Sequence, residues 1–152
     1  MRVAQLMTTD IRYCHATDSL GLAAQIMWDN DCGCVPVVDD ALRVVGMITD
    51  RDCAMAAHMR NQRLDEIPVG QVMAHGLRTC GAGDPVDTAE RLMREAKVRR
   101  LPVVDDEGHL VGLLSLNDLV RHVRRDRGAR PDGLAADAIV RTIAAISEPR
   151  GA

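Results

Sequence analysis

Two seven-residue segments carry side chains whose types and spacing could do chemistry: Gly46-Met47-Ile48-Thr49-Asp50-Arg51-Asp52 and Gly112-Leu113-Leu114-Ser115-Leu116-Asn117-Asp118. Each reads glycine, two apolar residues, a hydroxyl residue, two variable residues and aspartate. A hydroxyl at a helix start with a carboxylate three residues later is a capping box. Thr49 or Ser115 accepts from a helix amide, and Asp52 or Asp118 reaches back to the cap's own N–H, although Asp is shorter than the Glu or Gln such boxes prefer. The same pattern suits a ligand. Free N–H groups at the positive end of a helix attract a phosphate. A carboxylate one turn later can accept two hydrogen bonds from a vicinal diol such as ribose presents. The two readings are compatible, since the cap can operate while the site is empty.

The other reactive side chains form weaker patterns. Cys32-Gly33-Cys34 could be half of a metal site, but no second Cys or His pair stands at ligand spacing. Five cysteines are an odd number in a chain that does not look secreted, which argues against a disulfide framework. Buried cysteines acting as small hydrophobes are the simpler expectation, with redox sensing as a rival. His15, His58, His75, His109 and His122 show no paired spacing. Nucleophile elbow, phosphate-loop lysine and metal-base motifs are all absent from the sequence, so it reads as a non-enzyme.

The elements that position the two motifs come from a duplication. A shift of 66 residues aligns Gln5–Ala57 with Gln71–Val123 without a gap, and 16 of those 53 positions are identical, too many for coincidence. The run Pro36-Val37-Val38-Asp39-Asp40 recurs entire as Pro102-Val103-Val104-Asp105-Asp106. Each copy predicts a short helical turn ending at Met7 or Met73, then a brief strand near 11–14 or 77–80. A helix follows, opening at Asp18-Ser19 or at Asp84-Pro85, with Pro85 suited to the first helical position. A β-hairpin spans 35–48 or 101–114, and a last helix starts at Thr49 or Ser115. Gly108 suits the second hairpin turn; Leu42 stands there in the first, so the two turns are expected to differ.

The expected fold is therefore α/β: two tandem β-α-β-β-α repeats related by an internal pseudo-two-fold, plus a short C-terminal helix. The boundaries read as repeat 1 over 1–58, a polar linker over 59–68, repeat 2 over 69–124, a Gly/Pro/Arg-rich linker over 125–133 and the helix over 134–147. Ile139, Val140, Ile143 and Ile146 are that helix's apolar positions.

Composition narrows the function. The 152 residues include no Phe, one Trp (Trp28) and one Tyr (Tyr13), which argues against stacking platforms for single-stranded nucleic acid. A net charge of −3 offers no general attraction to phosphate backbones or anionic lipid. The start shows no run apolar enough for a signal peptide and nothing later could span a membrane, so a cytoplasmic protein is expected. Trp28 aligns with Arg94, which predicts an outward-facing apolar residue and hints at a partner surface.

The duplicated block, its Pro-Val-Val-Asp strand and its Gly-apolar-apolar-Thr/Ser-x-x-Asp ending together resemble a pair of CBS domains, the Bateman module, over roughly residues 1–125. Thr49-Asp50-Arg51-Asp52, Val98-Arg99-Arg100-Leu101-Pro102 and the C-terminal helix are similar to stand-alone bacterial CBS pairs of the hypoxic response type. The resemblance implies clefts between the halves for adenosine-containing ligands such as AMP, ATP, NAD or S-adenosylmethionine, bound as regulatory ligands and not as a required cofactor. It implies Asp52 and Asp118 on ribose hydroxyls and Thr49 and Ser115 on ribose or phosphate. Val35-Pro36, Leu101-Pro102, Arg12 and Arg78 would flank adenine.

The copies differ where charge matters. Arg51 has Asn117 as its counterpart, and Arg99 and Arg100 face Gly33 and Cys34, so unequal sites are expected, with the three arginines as phosphate candidates. The resemblance further implies a homodimer that signals to a separate protein. The alternatives are an interaction scaffold with degenerate sites and a cysteine-based redox sensor.

Overall fold

A computed structural model describes residues 1–125 and 136–149. The expected 125–133 linker and the start of the C-terminal helix at Leu134 fall almost wholly outside the described residues. The elements run β1 (Cys14–His15), α1 (Leu20–Asp29), β2 (Cys34–Val38), β3 (Val44–Thr49) and α2 (Asp50–Arg60) in the first repeat. The second has β4 (Cys80–Gly81), α3 (Val86–Ala96), β5 (Arg100–Val104), β6 (Leu110–Ser115) and α4 (Leu116–Arg125), followed by α5 (Ala136–Ser147). Both repeats form a three-stranded sheet with the middle strand in the centre: β1-β2-β3 and β4-β5-β6. β1 runs parallel to β2 and β3 antiparallel to it, with Cys34 opposite Thr49 and Val35 opposite Ile48.

The compact units do not coincide with the sequence repeats. One unit holds Ile11–Leu77 and Glu107–Leu110; the other holds Met1–Asp10, Arg78–Asp106 and Val111 onward. Thus the opening segment of each repeat is packed with the other repeat's strands. Thr8 exchanges both backbone hydrogen bonds with Leu113 at 2.9 Å, and Ala74 does the same with Met47 at 2.9 and 3.2 Å. These pairs are related by the same 66-residue offset. Val3 lies in the core with Leu101, Val103, Leu114 and Leu119, while Ile67, Val69 and Met73 join Leu20, Val35, Val37 and Ile48. The stretch read as a polar linker therefore delivers Ile67, which is fully buried.

Local chemistry sets the element ends. Ser19 caps α1 by accepting from the Leu22 amide at 3.2 Å. Pro85 sits one position earlier than expected, at the N-cap of α3, without a side-chain cap bond. A proline has no hydroxyl to offer; its extended φ of −61° nevertheless leads straight into the helix. Asp18 and Asp84 tie the turns after β1 and β4 by accepting from the His15 and Gly81 amides at 2.7 and 2.8 Å.

Two expectations are corrected. The hairpin turns are alike and not different: Leu42 adopts a φ of +61° where Gly108 has +87°. Asp39 holds the first turn by accepting from the amides of Ala41 and Arg43 at 3.0 and 2.9 Å. On α5 the buried positions are Ile139, Thr142 and Ile146, whereas Val140 and Ile143 remain exposed. The helix lies against α3 and α4 of its own chain.

Candidate functional site

Both motifs fall at a strand-to-helix junction, and both capping boxes are complete. In the first, the Asp52 amide donates to Thr49 Oγ1 at 3.2 Å, and the Thr49 amide donates to Asp52 Oδ2 at 3.0 Å. In the second, Asp118 N to Ser115 Oγ is 3.3 Å and Ser115 N to Asp118 Oδ2 is 2.8 Å. Aspartate closes the box despite its short reach because the cap hydroxyl also donates to it, at 2.7 Å from Thr49 and 2.5 Å from Ser115. Each site thus presents a hydroxyl and a carboxylate held together, half-buried, at a helix N-terminus.

The motif glycines have a structural task. A Cβ on Gly46 would lie 2.5 Å from Met73 Sδ and 3.1 Å from the Ala74 carbonyl; one on Gly112 would lie 2.6 Å from Met7 Sδ and 3.3 Å from the Thr8 carbonyl. They admit the segment that pairs with β3 or β6, and sequence spacing alone does not reveal this.

The helix starts differ in how open they are. The Asp50 amide donates to the Gly33 carbonyl at 3.3 Å and the Leu116 amide to the Arg99 carbonyl at 2.9 Å, so the first amide is used in both. The next amide, Arg51, donates to its neighbour Asp50 Oδ1 at 2.7 Å. Leu116 supplies no such oxygen to Asn117, and it brings no negative charge. The second helix start is therefore the better place for an anion. The carboxylates differ too: Arg121 donates to Asp118 Oδ1 at 2.6 Å, while Met55 stands at the corresponding place beside Asp52.

The remaining candidates sort by unit. Val35 and Leu101 put their side chains into the two cores, which leaves only their backbone for a ligand. Pro36 and Pro102, one residue on, are buried on the opposite strand face. Arg12, Arg51, Arg78 and Arg99 are exposed and Arg100 is half-buried. In the second unit, Arg99 and Arg100 line a cavity of about 350 Å³ with Ser115, Leu116, Asn117 and Val120; Ile143, Ile146 and Ser147 of α5 complete its wall. The contribution of α5 was not visible from the repeat pattern, which ends at Val123.

All five cysteines are free thiols. Burial pushes Cys14 up to about 12 and Cys80 up to about 11, in each case with a nearby aspartate adding to the effect. Burial also raises Cys53, helped by Asp52 and Asp50. Such thiols hold little thiolate at neutral pH and are poor nucleophiles.

The CBS domain family model matches residues 3–59 and again 69–125. The chain is a tandem CBS pair. It is 33% identical over 117 residues to the CBS domain-containing protein YhcV of Bacillus subtilis, covering 77% of this chain and 81% of that one. Among longer relatives, it is 40% identical over 88 residues to the inosine-5'-monophosphate dehydrogenase of Bifidobacterium longum; that match covers 57% of this CBS pair but only 16% of the enzyme.

Solved structures agree. Hypoxic response protein I, solved with two coordinated zinc ions, superposes with a TM-score of 0.73 at 26% identity over 80% of this chain and 98% of that one. The CBS pair of protein MJ0100, in complex with 5'-methylthioadenosine and S-adenosylmethionine, gives 0.71 at 26% identity with the same coverage. No helix among the described residues is long and apolar enough to cross a membrane.

Proposed function

We propose that this CBS pair is a cytoplasmic, non-catalytic regulatory module that binds adenosine-containing nucleotides at its two motifs and signals to a separate protein. The observation that carries the reading is the hydroxyl–carboxylate pair at each helix start, 2.7 Å apart at Thr49/Asp52 and 2.5 Å at Ser115/Asp118. A ribose diol exchanges its hydrogen bonds with water for bonds to the aspartate, while the cap hydroxyl and nearby amides face ribose or phosphate. Backbone at Val35-Pro36 and Leu101-Pro102, with Arg12 and Arg78, flanks the base. Arg51 serves phosphate charge in the first site, and Arg99 and Arg100 serve it in the second. Adenosine-type ligands in the MJ0100 CBS pair support this choice of ligand.

The active form is a homodimer that uses α1 and α2, where Leu22, Trp28, Met55 and Met59 are exposed. Nucleotide binding shifts the population of states that the partner protein reads. The raised thiols of Cys14, Cys53 and Cys80 count against a redox role for those three cysteines. In the scaffold alternative the motif only caps, and the complete boxes fit that role as well as ligand binding.

Thermal denaturation of nucleotide-free protein with AMP, ADP, ATP, NAD and S-adenosylmethionine tests the reading. A ligand at about one hundred times its Kd adds about 2.7 kcal/mol to stability, which raises Tm measurably in a chain of this size. Asp52→Ala and Asp118→Ala are expected to reduce the rise by unequal amounts. No rise with any nucleotide moves the function to the scaffold.

A further inference from the structure

We propose that the turn between β5 and β6 binds a divalent first-row metal cation of the zinc type. Its ligands are one carboxylate oxygen each from Asp105 and Glu107 and one imidazole nitrogen from His109. The site is separate from both strand-to-helix motifs and does not depend on the nucleotide reading.

The three side chains stand at alternate positions of five consecutive residues, so one turn supplies the whole set. Their ligand atoms all lie within 4.8 Å of one another, with Asp105 and His109 half-buried and Glu107 exposed. At metal–ligand bonds of about 2.0–2.2 Å, tetrahedral ligands stand roughly 3.4 Å apart. Small side-chain rotations, without a rebuilt backbone, therefore close the set on an ion. An imidazole among the donors suits zinc and its neighbours, whereas calcium and magnesium take oxygen throughout. Three protein ligands leave the fourth position to water.

Two exposed carboxylates alone would be ordinary solvated surface. The first repeat shows what sets this turn apart. Leu42 and Gly108 share a positive φ, so Asp39, Ala41 and Arg43 occupy the places of Asp105, Glu107 and His109. There Arg43 Nε donates to Asp39 Oδ2 at 3.1 Å, and the turn carries its own cation. In the second turn an imidazole, which can give a lone pair, replaces that guanidinium, and a second carboxylate replaces the alanine methyl. With neutral imidazole the three positions carry two negative charges, where the first turn's three sum to zero. A bound divalent cation restores the balance that Arg43 provides in the first copy. Arg43 itself is bridged to His109 through the backbone, but its guanidinium is engaged by Asp39, and Asp106 adds a further exposed carboxylate to the second turn.

The second turn is hydrogen-bonded to the first. The Val44 amide donates to the Gly108 carbonyl at 3.3 Å and the Leu110 amide to the Leu42 carbonyl at 3.0 Å. An ion on Asp105, Glu107 and His109 therefore braces a turn on which the other turn rests, and it stabilises the fold by mass action. His109 and Ser115 stand at opposite ends of β6, roughly 20 Å apart along the strand, so the cation touches neither capping box.

The test uses the full chain, stripped with a chelator and then titrated with Zn²⁺, with Ca²⁺ and Mg²⁺ as controls. Heat is measured by calorimetry and amide chemical shifts are followed. The expected result is one Zn²⁺ that shifts the amides of residues 105–109, without comparable binding of Ca²⁺ or Mg²⁺. His109→Arg recreates the first turn's ion pair, so it is expected to keep the metal-free Tm while abolishing this binding. Glu107→Gln keeps the side chain's shape and should weaken binding at least about tenfold, since even an outer-shell partner is worth 10–100-fold. Cys32→Ser should leave it unchanged. Zn²⁺ binding that survives His109→Arg, or that shifts only the amides around Cys32 and Cys34, overturns the proposal. So does Ca²⁺ binding as tight as that of Zn²⁺, or a turn whose amides do not respond to Zn²⁺ at all. None of these outcomes alters the nucleotide response, which the thermal series reads separately.

Discussion

The helix pairs of the two repeats descend from one sequence, yet they present opposite surfaces. In α1 and α2 the positions of Leu22, Trp28, Met55 and Met59 are apolar and exposed, with Trp28 83% and Met59 77% accessible. The same positions in α3 and α4 hold Thr88, Arg94, Arg121 and Arg125. The second repeat has α5 packed on its helices instead, through Ile139, Thr142 and Ile146. Arg94, the counterpart of Trp28, donates to Thr142 Oγ1 at 2.9 Å, and that hydroxyl in turn donates to the Ala138 carbonyl at 3.0 Å. A helix face that the chain covers with its own segment has become polar at its margin. The other face has kept large apolar side chains, the surface on which the proposed homodimer rests.

The largest effect expected from this contrast is on assembly. Trp28→Arg installs in the first repeat the residue its counterpart carries in the second. For the proposed homodimer, molar mass by light scattering should fall from dimer to monomer, with secondary structure unchanged. Arg94→Trp is expected to leave the mass as it was, since α5 already occupies that side. A variant Trp28→Arg that remains dimeric would remove α1 and α2 from the interface.

The next effect is on pH dependence, and it sharpens the contrast beneath α5. Ala24 of α1 is replaced in α3 by Glu90, which is 3% exposed and whose Oε1 has no hydrogen-bond partner among the described residues. Burial raises the Glu90 carboxyl above its ordinary 4.5, and Asp87 adds to the rise; Arg94 and Arg141 oppose it. A carboxyl with a raised folded-state pKa favours folding below its unfolded pKa, and that advantage is lost as pH climbs through the folded value. Glu90→Gln should therefore raise Tm at neutral pH, with the gain shrinking as pH approaches 4.5. A constant gain at every pH would place the effect in packing and not in ionisation.

Much of this architecture was legible in the residues. The 66-residue duplication announced two copies of one unit, and Thr49/Asp52 and Ser115/Asp118 announced the junctions where the capping boxes form. What the sequence did not disclose depends on tertiary partners. An alignment of copies cannot say that Thr8 pairs with Leu113 and Ala74 with Met47, because the offset is the same whichever copy each segment joins. The glycines of the motif admit Met73 and Met7 against the strands, which their spacing does not announce. On α5, Val140 and Ile143 fit the helical period as well as Ile146 does, but Thr142 takes the buried place because Arg94 and the Ala138 carbonyl satisfy its hydroxyl. The wall that α5 gives to the cavity beside Arg99 and Ser115 follows from that packing and has no sequence signature.

The smallest expected effect concerns the hairpin turns, where the repeats share a conformation but not a residue. Leu42 and Gly108 both have positive φ, +61° and +87°. For a residue with a Cβ this region costs about 1–2 kcal/mol, while glycine loses more chain entropy on folding, about 0.5–1 kcal/mol. Leu42 is 44% exposed, so its side chain contributes little burial in one chain. Leu42→Gly should therefore stabilise the protein by about 0.5–1 kcal/mol, read as a higher urea midpoint at unchanged slope. Gly108→Ala should do the opposite by a similar amount, and purely through the backbone, since a Cβ there would meet nothing within 4 Å. Opposite signs at equivalent positions would show that the turn geometry is imposed by the hairpin and only tolerated by leucine. Loss of stability on Leu42→Gly would mean instead that this leucine is covered in the assembled protein, extending the apolar surface of the first repeat beyond α1 and α2.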